Sequence, residues 1–250
     1  MNRFNNKNEL VSIGETAKKL GVSHQTLRRW DKSGSLLAVR AQTGGNRYYR
    51  RYAIESFIRK TSMKLLFDAE LWVSSPIGYE PHGEVYCPNS GVFQARIGRM
   101  ELLLMKMSGF EELYSIITST AGEIGNNSFD HNLVNWPDIS GIYFSFDLEQ
   151  RYIILADRGQ GILTTLKRVR PTLATDGEAL RLAFTETISG RAPERRGNGL
   201  KYVRNNIIKY PLTLLFRSGD AELQLAQNEN DLTIIQAEQT IRGCLAVITF

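Results

Sequence analysis

The chain has 250 residues, enough to bury a real core in one large domain or two small ones. Hydrophobic residues make up 42% and charged residues 23%, which excludes a collagen-like, coiled-coil or disordered protein. No apolar run approaches the ~18–20 residues that cross a bilayer, and no signal-peptide core occupies the first thirty residues, so a cytoplasmic protein without membrane attachment is expected.

The formal net charge of +5 is unevenly spread. Residues 1–60 carry 13 Lys and Arg against 4 Asp and Glu, a net of +9, and the remainder a net of −4. A small cationic head on a slightly acidic body points to a polyanionic partner for the head. Cys87 and Cys244 are far apart with no C-x-x-C, and His24, His82 and His131 share no metal-ligand spacing, so neither a zinc site nor a disulfide framework is indicated.

Helical periodicity begins at Ile13, with Ile13, Ala17 and Leu20 on one face. Gly21-Val22-Ser23 breaks it, and Ser23 is a good N-cap for a second helix, His24–Asp31, whose Leu27 and Trp30 face inward. Two short helices joined by a Gly-containing turn form a helix-turn-helix, whose second helix meets the major groove. Leu36–Arg40 and Arg47–Arg51 read as two strands around the turn Thr43-Gly44-Gly45-Asn46, a hairpin wing with a cationic tip. Tyr52–Lys60 then closes the head as a helix with Tyr52, Ile54, Phe57 and Ile58 inward.

The run I-G-E-T-A-K-K-L-G-V-S-x-Q-T-L-R-R-W-D-x-x-G-x-L, followed by R-x-x-T-G-G-N-R-Y-Y, resembles the MerR-type winged helix-turn-helix of excisionases and transposase accessory regions. The resemblance covers about fifty residues. It implies that Gln25, Thr26, Arg28 and Arg29 face double-stranded DNA, that Arg47 and Tyr49 belong to the backbone-gripping wing, and that the unit works as a homodimer on a pseudo-palindrome.

Residues 61–95 read as a linker or irregular segment. Met63–Val73 fits a helix or a strand pair, while Ser74–Gly78 and Glu80–Gly83 are turn-rich.

Three signatures follow. In a helical stretch from about Phe110, Glu123 and Asn127 stand at i, i+4 and project from one face. A carboxylate and an amide so placed can hold a water and a hard cation together. The apolar strand Tyr152–Ala156 runs into Asp157-Arg158-Gly159-Gln160-Gly161, a D-x-G-x-G whose glycines let backbone approach a ligand. Gly197-Asn198-Gly199-Leu200 opens a helix, where free N–H groups and the positive dipole end favour phosphate. The glycine-bounded segment before it, Ile162–Arg196, has the character of a lid.

In this order, over residues 96–250, the three are similar to the N, G1 and G2 boxes of the GHKL superfamily of gyrase, histidine-kinase and MutL-type ATPases, and Ile241–Phe250 resembles its last strand. The resemblance implies an α+β chain. Its 96–250 domain would be a Bergerat-fold α/β sandwich, a mixed sheet with helices on one face, beside the winged helix-turn-helix of 1–60. It implies ATP and Mg²⁺ as cofactors, Asn127 as the Mg²⁺ ligand and Glu123 as the general base. Asp157 would accept from the adenine amino group, with Asp130 near the base. Gly159 and Gly161 would pass the nucleotide, and Gly197 and Gly199 would hold phosphate. His131 is read as a packed or polar-shell residue.

Cys244 stands where many members have a threonine at the adenine, and a thiol is a weaker hydrogen-bond partner. No phosphoacceptor-histidine helix precedes the body, which argues against a self-phosphorylating sensor kinase. Three functions fit. The leading one is an ATP-binding, slowly hydrolysing DNA-binding regulator. The others are a serine/threonine kinase of the anti-sigma-factor type acting on a separate protein partner, and a non-hydrolysing nucleotide sensor.

Overall fold

The computed structural model describes residues 10–20, 22–40, 45–187 and 199–250. The chain divides into two compact units, Met1–Lys64 and Leu65–Phe250. The wing-tip residues 41–44, the tail of the lid segment and Gly197 lie outside the described residues.

The first unit opens with β1 (Leu10–Ser12), α1 (Ile13–Leu20) and α2 (His24–Ser33). Ser23 caps α2 as expected, its Oγ accepting from Thr26 N at 3.1 Å. β2 (Tyr48–Arg50) pairs antiparallel with β1. The expected strand Leu36–Arg40 contributes a single bridge, Val39 to Tyr48, because the Ala38 N–H is given to Asp31 Oδ1 at 3.0 Å. Ala17, Leu27, Leu36, Tyr49, Ile54 and Ile58 form the core of this unit. Trp30 is half-buried against Phe57, ring centroids 4.7 Å apart.

α3 (Arg51–Ser74) begins in the first unit and ends in the second. The closing helix expected to stop at Lys60 continues because nothing breaks it before Pro76. Ile54 and Ile58 are buried, whereas Tyr52, expected inward, is exposed. Residues 61–95, read as linker, hold the rest of α3, an irregular run, a 3-10 turn at Gly83–Val85, β3 (Tyr86–Cys87) and the start of α4 (Ser90–Leu104).

The remaining elements of the second unit are α5 (Tyr114–Asn132), β4 (Ile142–Asp147), β5 (Tyr152–Asp157), α6 (Gly161–Lys167), α7 (Asp176–Thr185), α8 (Gly199–Lys209), β6 (Thr213–Ala226) and β7 (Thr233–Thr249). The sheet runs β3-β4-β5-β7-β6. Every neighbouring pair is antiparallel, so it is not the mixed sheet that was expected.

Its strands are apolar at both alternating positions and bury both faces. Ile142, Phe144, Ile153, Leu155, Ala246 and Ile248 join the main core with α4, α5, α7 and α8. Tyr143, Ile154, Ala156 and Leu245 join a smaller core with Ala69, Trp72 and Val73 of α3. Helices therefore cover both faces, not one. Arg158, fully buried, locks α3 down: its guanidinium bonds the Trp72 carbonyl and pairs with Asp138 at 2.7 Å.

α4 lies on α5 so closely that a β-carbon at Gly125 would sit 2.1 Å from Phe93 Cζ. Phe93 is wholly buried and rings against Phe144 and Phe129, so it has nowhere to go. Gly125→Ala is expected to destabilise the chain by about 1–3 kcal/mol in denaturant unfolding, the usual cost of overpacking.

Candidate functional site

α5 presents Ile124, Asn127, Ser128, His131 and Asn132 to one cavity, a stripe at i, i+3, i+4, i+7 and i+8. The opposite walls are Asp157 at the end of β5, Gly161, Ile162, Thr165 and Leu166 of α6, Ala183, Leu200, Phe216 and Cys244, with Gly199 at one end. The space between these walls is partly open to solvent.

α8 is tied to α5 by two side-chain bonds. Ser119 Oγ meets Tyr202 OH at 2.9 Å, and Asn206 Nδ2 donates to Thr120 Oγ1 at 3.0 Å. The next step along the pair brings the first residue of α8 to Glu123 and Asn127. A β-carbon at Gly199 would lie 2.8 Å from Glu123 Oε2 and 3.1 Å from Asn127 Nδ2. The i, i+4 pair and this glycine, 72 or more positions apart in sequence, thus share one end of the cavity.

The other end is built around Asp157, which is 2% exposed. Ser128 Oγ donates to its Oδ2 at 2.7 Å and Gly159 N to its Oδ1 at 2.8 Å. Burial pushes its carboxyl above the ordinary range, against the pull of the bonds from Ser128, Gly159 and Cys244. β7 passes so near that a β-carbon at Gly243 (φ +71°) would lie 2.2 Å from the Asp157 carbonyl oxygen, so only glycine suits that position. Asn132 Oδ1 accepts from Gln160 N at 2.8 Å and fixes the glycine loop from the α5 side. Ser218 Oγ accepts from Ile162 N at 3.0 Å and donates to Gly243 O at 3.1 Å.

Asn127, Asp157, Gly161 and Gly199 therefore reach one cavity, Glu123 adjoins Gly199, and Gly159 supports Asp157 from behind. Asp130 does not come to the cavity: it is exposed, off the inward stripe of α5. Sequence reasoning missed Ser128, Asn132 and Ser218. A polar residue at the stripe positions of α5 could have marked the first two; nothing local marks Ser218.

Cys244 is half-buried in the cavity wall, 3.8 Å from Ser218 Oγ. Burial, then the Asp157 carboxylate, raises its thiol well above the ordinary range. His131 lines the cavity, and its buried Nδ1 has no partner among the described residues. Burial, then the charge of Arg168, holds its imidazole below the usual value.

In the first unit, Gln25, Arg28 and Arg29 are exposed on α2. Thr26 is partly used in capping, its Oγ1 3.0 Å from Ser23 Oγ. Arg47 is paired through Nε with Asp31 at 2.8 Å, and Arg40 pairs with the same carboxylate. Tyr49 is not a surface wing residue: it is fully buried, with its OH donating to Leu27 O at 3.3 Å.

Residues 12–49 match the family described as MerR family regulatory protein, which marks this unit as a MerR-type helix-turn-helix and supports a DNA-binding part. The chain is also 41% identical over 49 residues to the Type II methyltransferase M.Eco47II of Escherichia coli. That similarity covers 20% of this chain and 12% of the methyltransferase. Among the described residues, no helix is long and apolar enough to cross a membrane, and no group of three or more His, Cys, Asp or Glu is arranged to hold a metal ion.

The raised carboxyl of Asp157 has a thermodynamic consequence. Its folded form binds a proton more tightly than the unfolded chain, so ionising it costs stability. That cost is absent below the ordinary Asp value of about 3.9 and fully present above the raised one. Asp157→Asn carries no such charge and keeps an acceptor for Gly159 N. Its stability relative to the unsubstituted chain is expected to rise as the pH climbs above about 4, by roughly 1.4 kcal/mol per unit of upward shift, read from urea unfolding at each pH.

Proposed function

We propose that residues 65–250 bind Mg·ATP in the manner of the GHKL superfamily and hydrolyse it slowly, and that the first unit binds duplex DNA whose occupancy depends on nucleotide state. The observation that supports this most is the convergence of Asn127, Asp157, Gly161 and Gly199 on one cavity, with Glu123 beside Gly199.

The residues fit the group. The Asp157 carboxylate accepts three bonds from the protein, from Ser128, Gly159 and Cys244, and two oxygens with about four lone-pair sites leave one for an exocyclic amine. Ile124, Ile162, Leu166 and Phe216 supply apolar walls for a flat base. The Gly199 end combines a carboxylate, an amide oxygen and the N-terminus of the 11-residue helix α8, which suits phosphate. Hard oxygen donors suit Mg²⁺, which takes few protein ligands when phosphates supply the rest. Asn127 would hold the cation, which, when bound, offsets phosphate charge. Glu123 would take the proton of the attacking water.

In the first unit, the exposed face of α2 carries Gln25, Arg28 and Arg29. Arg47 is paired with Asp31, so the exposed cations of α2 carry more of the phosphate contact than Arg47 does. Arg28→Ala and Arg29→Ala are each expected to reduce the salt slope of duplex binding by about 1, without a loss of thermal stability.

Calorimetry with Mg·ATP tests the nucleotide assignment on the full chain. Asp157→Asn is expected to abolish binding, while Glu123→Gln keeps binding and loses phosphate release by ~10²-fold or more. Unchanged ATP affinity in Asp157→Asn would contradict it. Phosphate transferred to a co-purifying protein, rather than released, would identify a kinase in place of an ATPase.

A further inference from the structure

We infer that Asp31 is a positioning residue of the DNA interface, holding Arg40 and Arg47 together as a two-guanidinium clamp for one backbone phosphate; this rests on the duplex-binding reading of the first unit and not on the nucleotide assignment. The backbone brings the two arginines together. Val39 and Tyr48 exchange both bonds of an antiparallel bridge, Val39 N to Tyr48 O at 2.7 Å and Tyr48 N to Val39 O at 3.0 Å. The next pair along that bridge is Arg40 opposite Arg47, at the closer of the two antiparallel spacings. Like charges directly opposite on two strands are destabilising, so packing alone gives no reason to put two arginines there.

Asp31 offsets that repulsion from α2. Its Oδ2 accepts from Arg47 Nε at 2.8 Å and from Arg40 Nη2, and its Oδ1 accepts from Ala38 N at 3.0 Å. Burial alone would raise its carboxyl, and the bonds from Ala38, Arg47 and Arg40 hold it below the ordinary value. It also stands in the last turn of α2, where the helix dipole disfavours a negative charge. The two guanidiniums and the Ala38 N–H are what keep a carboxylate in that place.

Two guanidiniums against one carboxylate leave one positive charge over, enough for one phosphate. Arg47 meets Asp31 through Nε, and the Arg40 and Arg47 side chains stay 39% and 28% exposed, so N–H groups of both forks remain for a phosphate. Asp31 follows Arg28 by three positions on α2, so the clamp borders the exposed face that carries Gln25, Arg28 and Arg29. Because Asp31 cancels part of the charge, the clamp adds a smaller share than Arg28 and Arg29. Its contribution is order, since a long side chain already fixed is one that binding need not immobilise.

Fluorescence anisotropy of the full chain on a mixed-sequence DNA duplex, over a series of salt concentrations, tests the clamp. Asp31→Asn removes a negative charge, yet it should weaken binding about three- to tenfold, the ordering cost of one or two long side chains, and lower the salt slope by about 1. Asp31→Glu should restore most of the affinity. Arg40→Ala should lose about as much as Asp31→Asn, and the two together no more than either alone. Tighter binding by Asp31→Asn, with a steeper slope, would overturn the inference and make Asp31 a mask over the arginines. Unchanged affinity and slope with only a lower melting temperature would also overturn it and make Asp31 purely structural. Should Asp31→Asn fail to fold, Arg40→Ala at the exposed rim still decides, because an unchanged salt slope there rules the clamp out. If the unsubstituted chain binds no duplex, the DNA-binding reading and the clamp are both overturned.

Discussion

A carboxylate almost cut off from water sits at the point where β5 ends, and the cavity is arranged around it. Asp157 is costly to bury, and the structure surrounds it with donors: Ser128 from α5, the Gly159 amide from its own loop and a backbone bond from Cys244 on β7. Each donor needs a close approach. Gly243 has no side chain because β7 runs against the Asp157 backbone. Asn132 fills the space beside Gly159 and bonds the loop at Gln160. A charge kept buried and only partly matched is weak support for stability and good support for a ligand that supplies the missing partner.

The opposite end of the cavity depends on how two helices are aligned. The Ser119–Tyr202 and Thr120–Asn206 bonds fix where α8 lies along α5. With that register fixed, the start of α8 falls beside Glu123 and Asn127. One face of α5 thus serves both ends, with Glu123 and Asn127 at one and Ser128 at the other. A shift of α8 by one turn, ~5.4 Å, would separate the glycine from the pair while leaving Asp157 in place.

The elements with local signals were legible in the sequence. Ser23 caps α2, the strand into Asp157 is β5, and Gly199 opens α8. What failed depended on contacts between distant segments. Tyr49 belongs to an R-x-Y-Y run that suits a wing, but Leu27 draws its hydroxyl into the core. Leu36–Arg40 has strand composition, but Asp31 takes a backbone donor and β1 occupies the other edge of β2. Asp130 follows Asn127 by three residues, yet helix geometry turns it out of the stripe. Residues 65–74 give no hint that they cover a sheet, since the cover is specified by Trp72, Arg158 and Asp138 from three parts of the chain. Ser128 and Ser218 matter only through partners that the fold brings to them.

Hydrogen exchange of the full chain with and without Mg·ATP tests the central claim most directly, because it reads every wall of the cavity at once. A nucleotide lying from Asp157 to Gly199 should slow exchange together in the later turns of α5, in the loop that joins β5 to α6 and in the first turn of α8, with α4 unchanged. Protection confined to one of those segments, or none at saturating Mg·ATP, would contradict a single adenine-nucleotide cavity.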